Sequence, residues 1–199
     1  MRVVAGRLGG RRLKAVSGRT IRPTTDRVKE SLFGILGERC QGARTLDLFA
    51  GTGSLGIEAL SRGASRAVFV ERDPVALRVL RENLRSTGVA GEAAVLAKDV
   101  LSALGFLARR GEGPFDLVLA DPPYGRGLGA AALEQLGRGA SLLSPGAVVA
   151  VEHANRDALP EQVGNLSLRR RERYGETVVS FYQAGEPGGD AGEGGGGGE

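Results

Sequence analysis

Arg44-Thr-Leu-Asp-Leu-Phe-Ala-Gly-Thr-Gly-Ser-Leu-Gly-Ile-Glu-Ala-Leu60 is the stretch on which the reading of this chain turns. The apolar run Leu46, Leu48 and Phe49 predicts a short buried strand. Gly51, Gly53 and Gly56 break it, and Ile57, Leu60 and Ala64 resume at helical spacing. Strand, glycine turn and helix in that order make a nucleoside-cofactor pocket. Gly51 and Gly53 open backbone angles closed to residues with a Cβ, and Gly56 lets the helix approach its strand.

Two neighbours narrow the ligand. Glu71 ends the next apolar run, Ala67-Val-Phe-Val70, about twenty residues after the first glycine, where a carboxylate can accept both hydroxyls of a ribose. Asp47 lies inside the first strand. A carboxylate there repels a pyrophosphate but suits a cofactor with a cationic amino-acid end, such as S-adenosylmethionine. On this stretch alone a dinucleotide turn stays open as the alternative.

The 199 residues provide for one α/β domain and a small appendage. A 41% hydrophobic and 25% charged composition is that of a soluble globular chain, and no apolar run approaches a membrane span. With no apolar signal region after Met1-Arg-Val-Val4, a cytoplasmic location is expected. Cys40 is the sole cysteine, which rules out an internal disulfide and a multi-cysteine metal site, and no metal is expected. The formal charge of +4 conceals an asymmetry, because the Gly-rich tail after Ala184 holds Glu186, Asp190, Glu193, Glu199 and no base. Without it, 27 bases face 19 acids, a body near +8 that favours a polyanionic partner. Nearly all the bases are Arg, which suits bidentate phosphate contacts but equally fits a GC-rich genome.

At the amino-terminal end, Arg2-Val-Val-Ala5 and Arg11-Arg-Leu-Lys-Ala-Val16 predict a small hairpin within a basic extension over 1–20. Nine bases precede position 30, with Asp26 the only acid among them, so Arg11 and Arg12 are assigned to a phosphate-binding platform. Charged residues that protect a strand edge are the competing explanation. Pro23 keeps Arg22 extended, Thr24 or Thr25 can cap a helix, and Val28, Leu32, Ile35 and Leu36 give that helix one apolar face. Arg22, Thr24 and Arg27 then gather at its start, where free backbone N–H groups favour an anion.

Beyond the glycine turn, the pattern predicts helices over 54–63, 74–87, 99–109 and 128–140. It predicts strands over 45–49, 67–71, 93–97, 115–120 and 146–152, hence a mostly parallel sheet covered on both faces. Residues 166–174 and 177–182 follow without a helix and close a seven-stranded sheet as an antiparallel hairpin. The domain is placed at 21–184, and the tail over 185–199 is too poor in apolar residues to order itself.

Asp121-Pro-Pro-Tyr124 directly follows the apolar strand 115–120. Ligands of open α/β sheets lie beyond the carboxyl ends of the strands, so this tetrapeptide faces the same crevice as the glycine turn. Pro122 and Pro123 stiffen the backbone and remove its donors. That leaves carbonyl oxygens and the Asp121 carboxylate to grip an amino group, with Tyr124 as a stacking face for a base. Hydrogen bonds from both amine hydrogens to Asp121 and the Pro122 carbonyl make an aromatic amine more pyramidal and offset the charge formed as it attacks a sulfonium methyl. A base inside a helix cannot reach such a site, so the substrate is unpaired or flipped out.

With these residues in place the chain resembles a known family. Asp47-Leu-Phe-Ala-Gly-Thr-Gly-Ser-Leu-Gly56 is similar to the first motif of class I S-adenosylmethionine-dependent methyltransferases with a Rossmann-like fold, and Asp121-Pro-Pro-Tyr124 to the signature of amino-methyltransferases. Arg22-Pro-Thr-Thr-Asp-Arg-Val-Lys-Glu-Ser-Leu-Phe33, with Ala59-Leu-Ser-Arg-Gly-Ala64, Glu71-Arg-Asp73 and Tyr174-Gly-Glu-Thr177, resembles the bacterial RsmD family over roughly residues 1 to 183. That family methylates the exocyclic N2 amine of a guanine in 16S ribosomal RNA. The resemblance implies that Asp47, Phe49, Gly51, Gly53, Glu71, Arg72 and Asp99 line the cofactor site, with Asp99 near the adenine. It implies that Asp121, Pro122 and Tyr124 act on the target base, with Pro123 beside it. It further implies small-subunit RNA, assembling or assembled, as partner of a monomer; the acidic tail is outside it.

Four other readings stay open, one of them a protein-glutamine methyltransferase, which would not need the basic platform. An adenine-N6 methyltransferase on DNA or RNA uses the same tetrapeptide. An NAD-dependent oxidoreductase shares the glycine turn and Glu71, and a binding-only module keeps the basic surface alone. His153 at a strand end is read as structural or on the surface, Tyr174 and Gly175 as a hairpin turn, and Arg169, Arg170, Arg171 and Arg173 as a strand edge or an extension of the RNA surface.

Overall fold

The computed structural model of the chain describes residues 1–16, 26–139 and 142–185. Five helices and eight strands alternate there: α1 (Asp26–Leu36), β1 (Arg44–Leu48), α2 (Ser54–Ser61), β2 (Arg66–Glu71), α3 (Pro74–Thr87), β3 (Ala93–Ala97), α4 (Val100–Arg110), β4 (Phe115–Ala120), α5 (Leu128–Arg138), β5 (Leu143–Ala154), β6 (Gln162–Val163), β7 (Leu166–Tyr174) and β8 (Thr177–Ala184). They form one sheet in the order β3-β2-β1-β4-β5-β8-β7-β6. The first five are parallel to one another, and β8, β7 and β6 each run antiparallel to the strand before them in that order.

Alternation along each strand divides the core in two. Leu46, Leu48, Val68, Val70, Val118, Val149 and Val151 face α4 and α5, where Leu104, Leu107, Leu133 and Leu136 cover them. Phe69, Leu117, Leu119, Val148, Ala150 and Phe181 face the other way and meet Leu32, Phe33, Ile57, Leu60 and Leu80 of α1, α2 and α3. Each such side chain taken fully out of water contributes about 1.5–3 kcal/mol. Helix ends follow their local chemistry. Asp73 caps α3 by accepting from the N–H groups of Val75 and Ala76, both at 2.9 Å, with Pro74 in the first turn and Gly88 left-handed after the last.

One feature departs from the sequence expectation and another is smaller than expected. The sheet has an eighth strand, β6, of only two residues, held where Gly137 of α5 lets the main chain of Val163 and Gly164 pass close by. A Cβ on Gly137 would lie 2.1 Å from the Val163 carbonyl oxygen. At the other end, the expected amino-terminal hairpin is short: an antiparallel bridge joins Arg2 and Arg12, and the N–H groups of Val3, Gly10 and Leu13 donate to the carbonyls of Arg11, Val3 and Met1 at 2.9, 2.9 and 3.0 Å. Side chains of the helices take further donors of this segment. Glu58 accepts from the N–H groups of Val4 and Ala5 at 2.7 and 3.0 Å, the Ser61 hydroxyl from Leu8 at 3.0 Å, and Asn83 from Lys14 at 2.8 Å. The segment is stitched to α2 and α3, and Val3, Leu8 and Leu13 are buried with them.

Candidate active site

Strand order reverses beside β1: β2 lies on one side and β4 on the other, which opens a crevice beyond their carboxyl ends. Register then determines what lines it. Phe69, Asp47, Leu119 and Ala150 are successive partners across β2, β1, β4 and β5. Two residues further along stand Glu71 and Glu152, within β2 and β5, and Phe49 and Asp121, just past the ends of β1 and β4, with Phe49 packed on the core under α4 and α5. This row lines a cavity of about 760 Å³, together with Gly51, Arg72, Asp99, Pro122, Pro123 and Tyr124. Thus the two strand tips singled out in the sequence share one cleft.

On the β1–β2 side the glycine turn is shaped by backbone. Phe49 takes φ of 60°, rare for a bulky residue and a local strain at the cavity wall. Gly53 has φ of 86° and caps α2; a Cβ there would lie 2.4 Å from Leu80 Cδ1. Gly53 therefore shapes the turn and is not among the residues lining the cavity. Glu71 is held by three backbone donors: Gly51 N–H on Oε2 at 2.8 Å, and Arg72 and Asp73 N–H groups on Oε1, both at 2.7 Å. Asp99 caps α4 by accepting from Leu101 N–H at 3.1 Å, and Arg72 pairs with it at 3.4 Å across the exposed rim.

Asp47 lies one step below the row. It is fully buried, does not line the cavity, and accepts from Gly56 N–H at 2.8 Å, tying α2 to β1. Burial pushes its carboxyl up to about 7; the Gly56 hydrogen bond opposes this and the Glu71 charge adds to it.

The β4–β5 side is acidic and aromatic. The half-buried Asp121 carboxylate makes no hydrogen bond with a described residue, and burial, Glu152 and Asp47, in that order, hold it well above the usual carboxylate range. Glu152 is 4% exposed and accepts from Tyr124 Oη at 2.9 Å; Thr177 Oγ1 lies 3.4 Å from the same hydroxyl. Burial first, and the Glu152 and Asp121 charges after it, push the Tyr124 hydroxyl above its ordinary range, so it stays protonated. Sequence reading missed Glu152. The available signal was an acid amid the apolar run of β5, two residues past a position facing the same core as α1 and α2.

Of the substrate-side residues expected from sequence, Pro122, Pro123 and Tyr124 line the cavity, and Arg11, Arg12 and Arg27 are not among the residues that line it. Arg22 and Thr24 lie outside the described residues, and Arg27 is exposed in the first turn of α1. Arg11 donates to the Ser86 and Thr87 carbonyls at the end of α3, at 3.4 and 3.1 Å, while Arg12 is exposed with no described partner. Other bases of the platform meet acids: Arg2 with Asp26, Arg7 with Glu92 and Lys14 with Glu82. His153 is buried against Ser180 Oγ at 2.8 Å, a structural place, and Tyr174 Oη bonds to Ser31.

The family described as conserved hypothetical protein 95 matches residues 1–183. Ribosomal RNA small subunit methyltransferase D of Escherichia coli is 38% identical over 183 residues, 92% of this chain and 89% of that protein. The protein of the same name in Haemophilus influenzae is 39% identical over 92% of this chain and 93% of its own length. The chain belongs to the RsmD methyltransferase family. The solved structure of Escherichia coli yhhF superposes with a TM-score of 0.81 at 37% identity, over 94% of this chain and 99% of that one. An RNA methyltransferase of Salinibacter ruber in complex with S-adenosyl-L-homocysteine shares the fold at a TM-score of 0.61 and 19% identity, over 86% of this chain and 99% of its own. The RsmD match spans the glycine turn, the Asp121 tetrapeptide and the stitched amino-terminal segment alike.

Proposed function

We infer that this protein transfers a methyl group from S-adenosylmethionine to the exocyclic N2 amine of a guanine in small-subunit ribosomal RNA. The observation that carries the reading is the shared row at the strand tips, with Glu71 and Phe49 beside the glycine turn and Asp121 and Glu152 beside the tetrapeptide. The cofactor fits this half of the cavity. Carboxylates of Glu71 and, one step below, Asp47 favour a cationic nucleoside over a pyrophosphate, and the backbone donors on Glu71 aim it at a ribose. When bound, S-adenosylmethionine supplies an electrophilic methyl group on a positively charged sulfur.

The chain's own residues do the rest. Asp121 and the Pro122 carbonyl accept the two amine hydrogens, and Tyr124, fixed through its hydroxyl, offers its ring to the base. With the amine so held, its nitrogen lone pair would take up that methyl group, and the carbon–sulfur electron pair would stay with sulfur. The surplus proton passes to the Asp121 carboxylate, whose raised affinity for it suits that task. Relatives named for small-subunit ribosomal RNA support the substrate class. Among the described residues no helix is long and apolar enough to cross a membrane. A monomer acting in the cytoplasm on an assembling or assembled subunit belongs to the same proposal.

The test offers the purified protein and labelled S-adenosylmethionine both naked ribosomal RNA and small subunits from an unmethylated strain. Label recovered as N2-methylguanosine is expected. No label in either substrate, or label in N6-methyladenosine, overturns the reading.

A further inference from the structure

We propose that Glu152 is the residue that reads the target base as guanine, by accepting the ring N1–H while Asp121 and the Pro122 carbonyl grip the neighbouring amine. The inference rests on the methyl-transfer reading above and adds the origin of base choice.

Its ground is placement. Ala120 of β4 is registered with Val151 of β5, so Asp121 and Glu152 are the next pair across the two strand ends, and both line the cavity. Guanine carries N1–H and N2–H₂ side by side, a row of donors. Adenine sets an unprotonated N1 beside its amine, and cytosine an unprotonated N3. Two adjacent carboxylates therefore attract one edge, whereas for the others the second carboxylate faces a lone pair. Glu152 is only 4% exposed, so that contrast is little screened by water. The Tyr124 hydroxyl, donating at 2.9 Å, fixes the direction of the carboxylate. Thr177 and Tyr124 thus support Glu152 from the side of β8 and the tetrapeptide.

The experiment compares target RNA carrying guanine with the same RNA carrying 2-aminopurine at the modified position. That analogue keeps the 2-amino group and replaces the N1–H with a lone pair. The wild-type protein is expected to prefer guanine by about tenfold or more in kcat/KM. In Glu152→Gln, whose amide can also donate, guanine turnover falls and the preference shrinks towards unity, while calorimetric affinity for S-adenosylhomocysteine is kept. Glu152→Asp keeps the preference at a lower rate. An unchanged ratio in Glu152→Gln, with guanine still methylated by the wild type, sinks this inference alone, as does loss of preference in Glu152→Asp. A wild-type protein that methylates neither RNA overturns the functional reading and this inference with it.

Discussion

Asp121 and Asp47 are both acids with raised proton affinity, yet their positions give them different work. Asp121 opens on the cavity and must be ionised to accept from an amine, so turnover is expected to rise with pH as it loses its proton. Asp121→Asn keeps the shape and loses the charge. A fall in kcat of about 10²–10³ is expected, with S-adenosylhomocysteine affinity within about threefold, read by single-turnover assay and calorimetry. Asp47 instead affects stability. Its carboxyl is raised to about 7 in the fold from an ordinary 3.8, so its stabilising contribution is complete below about pH 4 and is lost as pH rises through 7. Asp47→Asn retains an acceptor for Gly56 N–H and removes the titration. Between pH 4 and pH 8 the ligand-free variant should lose less unfolding free energy than the wild type, by an amount on the order of 3 kcal/mol, measured by urea denaturation.

At the scale of elements, the amino-terminal segment depends on one acid of α2. Glu58 is fully buried, bonds to Val4, Ala5 and Arg62, and faces the Lys29 ammonium of α1 at 3.5 Å. Burial lowers the Lys29 pKa while Glu58 and Asp26 oppose that shift, so removing the partner strands a charge. Glu58→Ala is expected to destabilise by about 3–5 kcal/mol, and the double variant with Lys29→Met by less than the two single changes together, as urea midpoints and slopes will report. This clamp was not legible beforehand. The run Arg2-Val-Val-Ala5 looks the same whether its amides bond to a strand or to a glutamate. By contrast, the boundaries of α3 and β4 followed directly from Asp73-Pro74, Gly88 and the apolar run 115–120, because caps and burial are local. β6 escaped because its cause, the close pass at Gly137, joins distant segments. The glycine turn and Asp121 announced the cleft, whereas Glu152 emerged only once register aligned it with them.

Across the whole molecule charge is unevenly distributed. Arg2, Arg7 and Lys14 have acid partners and Arg11 caps a helix, so fewer of the amino-terminal bases are available to phosphate than the sequence count suggests. RNA binding is accordingly expected to weaken with salt at a slope set by the few phosphates contacted, about −0.7 per contact on single strands, while cofactor affinity is nearly salt-independent. Filter binding between low and physiological salt measures both. Deleting residues 186–199 removes four acids and no base, shifting the formal charge from +4 to +8. Faster RNA association at low salt is expected, with the gain vanishing at high salt, by stopped-flow measurement.

The row from Glu71 through Phe49 and Asp121 to Glu152 also works as a ruler. Neighbouring strands are about 4.8 Å apart, and Phe49 and Asp121 each follow the last paired residue of their strands, Leu48 and Ala120, so the peptide ladder sets the graduations. A synthetic molecule joining an adenosine to a purine across about two such intervals, near 10 Å, would rest on both halves at once. Its grip should far exceed that of either fragment, and lengthening the tether by one more interval should forfeit the advantage.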